Sequence, residues 1–83
     1  MTPFHSLVTA ELDRARGKFG PFHTAHEGYA VLLEEVDELW DLVKQKQSTR
    51  NPAAMLTELV QIAAMAERMA DDLGLASRGH GVP

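Results

Sequence analysis

The sequence contains no cysteine, which excludes disulfide bonds and cysteine-ligated zinc or iron–sulfur sites. Cations are also few: 8 Lys and Arg stand against 12 Asp and Glu in 83 residues, for a net charge of −4. Because nucleic-acid binding surfaces are normally basic, we expect no nucleic acid polymer as a partner. A monomer this short buries only about 60% of its unfolded surface. We therefore expect self-association or a bound metal to stabilise it.

Long apolar runs are missing as well. No stretch approaches the roughly 18 apolar residues of a membrane span. The first residues lack the basic region and apolar block of a secretory signal. The sequence thus predicts a cytoplasmic protein with no membrane partner.

Strand signals are scarce, and helical spacing of apolar residues runs through most of the chain. Three helix starts are predicted by N-cap residues followed by proline or glutamate: Thr2-Pro3, Thr24 with Glu27, and Asn51-Pro52. The first helix is expected to end near Arg16 and Gly17, the second near Gln47 and the third at Gly74. Lys44 and Lys46 would then lie in the last turn of the second helix, where cations suit the helix dipole.

These signals predict one all-α domain over residues 1–75, with residues 76–83 as a disordered tail. The third helix is apolar almost all round, so it should be buried almost all round. Two short neighbouring helices cannot cover it. We therefore expect an antiparallel three-helix chain whose four-helix-bundle-like core is completed by dimerisation, in a homodimer or homotetramer.

The second helix carries a dense acidic segment, with five carboxylates within residues 34–41. Like charges three or four residues apart destabilise a helix. The third helix repeats an i,i+3 polar pair in an apolar stretch. If Val36 and Leu59 mark the centres of the two apolar faces, the polar pair on each helix lies at the same angle from the centre of its own helix's face, counted at ~100° per residue. The two pairs that would converge are Glu35 with Glu38, and Glu58 with Gln61.

Oxygen donors of this kind suit Mg²⁺ or Mn²⁺, so the convergence predicts a divalent metal site. The alternative interpretation is a solvated acidic face of a purely structural helical oligomer.

Glu34-Glu35-x-x-Glu38 followed by Glu58-x-x-Gln61 resembles the motif of the MazG-like nucleotide pyrophosphohydrolases, over about residues 26–73. That all-α family hydrolyses nucleoside triphosphates between the α- and β-phosphates with Mg²⁺. By position, Glu35, Glu38 and Glu58 match its metal-ligand carboxylates. Gln61 stands where the family usually has Asp. Its carboxamide can ligate a metal but carries no negative charge.

The resemblance implies a (deoxy)nucleoside triphosphate pyrophosphohydrolase. Glu34 or Glu35 would accept the proton of the attacking water, and the sequence leaves the choice between them open. Because of Gln61, a second interpretation is a nucleotide- or metal-binding regulatory module with little or no turnover.

Substrate contacts are predicted around the ends of the second helix. Lys44, Lys46 and Arg50 are candidates for phosphate binding, with solubility as the alternative role. The aromatic segment before the helix could contact a base through Phe22 and His26. The alternative is that Phe19 and Phe22 fill the core. Tyr29 and Trp40 lie on the apolar arc and are predicted to be core residues.

Overall fold

The computed structural model describes residues 2–75, and the predicted tail lies outside them. It contains the helices α1 (Pro3–Lys18), α2 (Ala25–Val43) and α3 (Pro52–Asp72), and a short 3₁₀ helix at Gln47–Thr49. No strand occurs between residues 2 and 75, which confirms the all-α fold with three helices. No helix within residues 2–75 has the length and apolar character that a membrane crossing requires.

All three helices begin where their capping residues predict. The side chains of Thr2, Thr24 and Asn51 each accept a hydrogen bond from the backbone N–H three residues ahead, at 3.1–3.2 Å. The Glu27 carboxylate returns to the backbone N–H of His23, at 2.9 Å. These bonds satisfy N–H groups that a helix start otherwise leaves unpaired.

The helix α2 ends four residues earlier than predicted. Its last residue is Val43, and the Arg50 Nε donates a 3.0 Å hydrogen bond to the Val43 carbonyl. The last turn of α2 therefore contains no basic residue, and the placement of Lys44 and Lys46 there was wrong. The Arg50 side chain, from the segment after α2, thus satisfies a free carbonyl at this helix end, where Lys44 and Lys46 were expected to suit the helix dipole. At the end of α3, Gly74 has a φ of 70°, as expected for a C-terminal glycine.

The helix α3 is the centre of the fold. Both α1 and α2 pack against it, and no comparable contact joins α1 to α2 in the described part of the chain. Gly28 brings α2 close to α3, because a Cβ at this position would lie 2.8 Å from Met69 Cγ. The buried apolar core consists of Val8, Leu12, Ala15, Phe22, Val60, Ala64 and Met65.

The linker between α1 and α2 is fixed to α3 by Arg68, which is only 5% exposed. Its guanidinium lies 4.1 Å from the centroid of the Phe22 ring and donates to the Gly20 carbonyl. Its Nε lies 3.5 Å from the Asp72 carboxylate, which accepts the Phe22 N–H at 2.9 Å. Phe22 is thus a core residue, whereas Phe19 is 51% exposed.

One face of α2 has no partner among residues 2–75. Tyr29 and Trp40, predicted as core, are each 59% exposed, so that prediction is wrong for the single chain. Tyr29 is one residue, or ~100° around the helix, from Gly28, which faces Met69 of α3. We call the unpartnered face the exposed stripe. It consists of Tyr29, Leu33, Val36 and Trp40.

Candidate metal and nucleotide site

Three glutamates predicted as metal ligands meet where α2 packs on α3. One carboxylate oxygen each from Glu35, Glu38 and Glu58 lies within 4.8 Å of the other two. Glu35 and Glu58 are half-buried, and Glu38 is exposed. We call these residues the carboxylate trio. Their convergence was expected from the helical spacing, and their role as metal ligands stays a prediction.

The trio is electrostatically unfavourable without a cation. Glu35 Oε2 and Glu58 Oε2 are buried and have no hydrogen-bond partner among the described residues. Burial, the adjoining Glu58 carboxyl and the charge of Glu38 together raise the pKa of Glu35 to about 7. The pKa of Glu38 is also raised, first by a hydrogen bond with Glu58 and then by its charge. Such shifts mean that the folded chain disfavours full ionisation of the trio.

The donor set fits a hard divalent cation. All three groups are carboxylates, which Mg²⁺ and Mn²⁺ prefer as ligands. A cation held here would also give the two unpartnered buried oxygens a partner and compensate their desolvation.

We expect the metal-free protein to lose stability as pH rises from about 4.5 to about 7. The pKa of Glu35 lies above its ordinary value in the folded state, so the folded chain binds more protons across this window. The unfolding free energy must therefore fall with pH there. Divalent cations require the ionised form, so we also expect Mg²⁺ or Mn²⁺ to raise Tm more at about pH 8 than at about pH 5.

Thermal unfolding in EDTA and in each cation, at both pH values, measures these effects. In the Glu35→Gln variant the fall with pH should be smaller. A Tm that is unaffected by either cation at about pH 8 would contradict a metal site at the trio.

A cavity of about 670 Å³ adjoins the trio and shares Glu35 with it. It is bounded by α1, the linker, α2 and α3. Glu34 and Gln61, which the sequence marked as candidate site residues, belong to its lining. Phe22 and His23 also contribute to the wall. The helix spacing therefore places the whole acidic motif either in the trio or beside it.

The predicted phosphate-binding cations lie elsewhere. Lys44, Lys46 and Arg50 do not line the cavity. The Lys44 Nζ is 3.1 Å from an Asp41 carboxylate oxygen, and Arg50 is bound to the end of α2. His26 is exposed and also outside the lining. Their roles as substrate contacts stay predictions.

The cations that do line the cavity are Arg14 and Arg68. Neither was singled out from the sequence. For Arg68 a signal existed, because it stands four residues before Asp72 on α3 and so could pair with it on one helix face. Arg14 had a similar signal in Glu11, three residues earlier.

Comparison with protein-family models, curated proteins and solved structures found no significant match to this chain. The resemblance to the MazG-like enzymes thus rests on the acidic motif and its apolar context alone.

Proposed function

We propose that this chain is a Mg²⁺-dependent pyrophosphohydrolase that converts a nucleoside or deoxynucleoside triphosphate and water into the monophosphate and pyrophosphate. The observation that carries the proposal is the carboxylate trio, with two buried unpartnered oxygens, beside a cavity of about 670 Å³. Such a volume lies within the range of small-molecule sites. Because nucleoside triphosphates are intracellular metabolites, we propose the cytoplasm as its compartment.

Glu35, Glu38 and Glu58 would hold the cation, with the Gln61 carboxamide oxygen as a further donor. Bound there, Mg²⁺ or Mn²⁺ would supply compensation for the charge that develops on the leaving pyrophosphate. The chain carries a net charge of −4, so the cation would supply positive charge that the triphosphate needs at the trio.

Glu34 and Glu35 are the two candidates for accepting the proton of the attacking water. The pKa of Glu35 is raised to about 7 in the metal-free chain, but a bound cation would favour the ionised carboxylate and lower this pKa, so the value does not choose between the two. Glu34, the other candidate, is exposed and lines the cavity, outside the trio. Because Glu34 lies outside the trio, it would be free of the cation and able either to accept this proton or to contact the substrate.

We further propose that a second copy of the chain covers the exposed stripe and completes a four-helix-bundle-like core. The stripe places Tyr29, Leu33, Val36 and Trp40 within one narrow arc of α2. On α3, Leu56 and Leu59 are 42% and 43% exposed. Exposed apolar side chains that share one face of a helix, as in the stripe, are typical of an interface in soluble proteins. A homodimer and a homotetramer would each cover this apolar surface.

A second candidate function is a binding or regulatory module without turnover. Gln61 favours it, because an amide at this position reduces the negative charge available to a cation. The trio would then bind a metal and nucleotide and release them unchanged.

A pyrophosphate-release assay over a panel of ribonucleoside and deoxyribonucleoside triphosphates tests the proposal. We expect release from at least one triphosphate with Mg²⁺ or Mn²⁺ and none with EDTA. If the wild type is silent while Gln61→Asp releases pyrophosphate, the native protein is a binding module. Silence of both proteins, with every triphosphate and both cations, would contradict the proposed activity.

A further inference from the structure

We propose that the linker between α1 and α2 is a movable wall of the cavity, held closed by the Arg68–Asp72 pair, and that it opens while the three helices stay packed. We call residues 19–23 of this linker the strap. All five of them line the cavity of about 670 Å³. An open strap would therefore give a small molecule a path into the cavity. The inference concerns how the wall moves, so it goes beyond the proposed function and does not depend on the ligand.

The strap has few contacts of its own that hold it in place. It contains no helix or strand, and Phe22 is its one buried residue, at 5% exposure. The N–H groups at its two ends are bonded to the adjoining helices. Phe19 donates to the Ala15 carbonyl at 2.8 Å, and His23 donates to the Glu27 carboxylate at 2.9 Å. Segments with few buried side chains and few hydrogen bonds open at a lower free energy than the rest of a protein.

The hydrogen bonds that join the strap to α3 within residues 2–75 all involve one charged pair. The Phe22 N–H donates to Asp72 Oδ2 at 2.9 Å, and the same oxygen lies 3.5 Å from Arg68 Nε. The Arg68 guanidinium also donates to the Gly20 carbonyl. It lies 4.1 Å from the ring centroid of Phe22 and 5.9 Å from that of Phe19. The position of the strap therefore depends on this pair and on the burial of a single phenylalanine ring.

The three helices have packing contacts that do not involve the strap. Val8 of α1 and Ala64 of α3 belong to the same buried core. Gly28 brings α2 against Met69 of α3. Opening the strap would remove Phe22 from the core and leave these contacts in place. The strap can thus open at a smaller cost than unfolding of the whole chain.

Amide hydrogen exchange of the ¹⁵N-labelled full chain, in urea below the unfolding transition, measures the opening. We expect the Phe22 N–H to exchange at least about tenfold faster than the Ala64 N–H after correction for intrinsic rates, because only local contacts must break. The Phe22 rate should also be nearly independent of urea, since a local opening exposes little surface. Exchange at Ala64, which is fully buried in α3, should rise steeply with urea.

Two substitutions separate strap opening from unfolding of the whole chain. Asp72→Asn keeps an oxygen that can accept from the Phe22 N–H and removes the ion pair with Arg68. Exchange at Phe22 should then rise at least about fivefold, because a charge-assisted bond is replaced by a neutral one. Val8→Ala removes a core contact outside the strap, so it should lower Tm and leave the Phe22 rate within about twofold.

The matched charge control is Asp71→Asn, which removes an exposed ion pair with Arg16 one residue before Asp72 and should leave the Phe22 rate within about twofold. The wild-type measurement decides the proposal even if a variant does not fold. A urea dependence at Phe22 equal to that at Ala64 would overturn it. So would an unchanged Phe22 rate in Asp72→Asn. These measurements need neither a nucleotide nor a cation, so their failure is distinct from failure of the proposed enzyme activity.

Discussion

Glu58→Gln should reduce pyrophosphate release by at least about 100-fold while the chain stays folded. The substitution keeps the size of the side chain and removes one of the three negative charges of the trio. Groups that compensate charge in a transition state typically contribute about 10²- to 10³-fold to turnover. Steady-state release at saturating Mg²⁺ and nucleotide, with circular dichroism as the check on folding, measures the effect.

The same substitution should stabilise the metal-free protein at about pH 8. Glu58 raises the pKa of both Glu35 and Glu38, so its charge works against the folded state there. The matched control is Glu67→Gln, an exposed carboxylate on α3 outside the trio. The control should change neither turnover nor Tm appreciably. Turnover at the wild-type rate in Glu58→Gln would remove this residue from the mechanism.

A double substitution on the exposed stripe, Leu33→Lys with Trp40→Lys, should dissociate the oligomer. Leu33 and Trp40 are 39% and 59% exposed in the single chain. Covering a side chain of this size in an interface contributes about 1.5–3 kcal/mol. Two lysines introduced into each copy remove that gain and place like charges in the interface.

Light scattering coupled to size-exclusion chromatography measures the change. The wild type should elute at two or four times the 9.1 kDa chain mass, and the double variant at the mass of one chain. Ala30→Lys with Gln45→Lys adds the same two charges at exposed positions outside the stripe and should leave the wild-type mass. A monomeric wild type at about 100 μM would contradict the proposed assembly.

The helix starts could be predicted because they depend on local chemistry. Thr2, Thr24 and Asn51 cap the helices through bonds that span only three residues. The end of α2 could not be predicted in this way. It depends on the Arg50 side chain, which reaches back seven residues to the Val43 carbonyl. No capping pattern in the sequence marks that contact.

The convergence of the trio was predicted on a premise that the structure corrects. Val36 and Leu59 were taken as the centres of the buried faces, yet they are 41% and 43% exposed. Glu35 and Glu58 instead belong to the α2–α3 contact itself, which is why one oxygen of each is buried. The spacing keeps Glu35 and Glu38 together on α2 whichever face is buried, but the approach of Glu58 depends on which faces of α2 and α3 pack together, and the spacing does not determine that.

Tyr29 and Trp40 show the limit of periodicity. The apolar arc of α2 is wide enough to pack against two neighbouring helices, and α3 covers only one part of it. Hydrophobic spacing identifies the arc without saying which chain covers each part of it. Arg68 shows the same limit in the core, because its partners Gly20 and Phe22 come from a distant linker.

The identity of the products tests the central proposal most directly. One triphosphate that responds in the release assay is incubated with Mg²⁺ and either the wild type or Glu58→Gln. ³¹P NMR then distinguishes the products pyrophosphate and monophosphate from the products inorganic phosphate and diphosphate. We predict that pyrophosphate and monophosphate accumulate in equal amounts with the wild type and are nearly absent with Glu58→Gln. Inorganic phosphate with diphosphate, or equal accumulation of pyrophosphate with both proteins, would contradict hydrolysis between the α- and β-phosphates at the carboxylate trio.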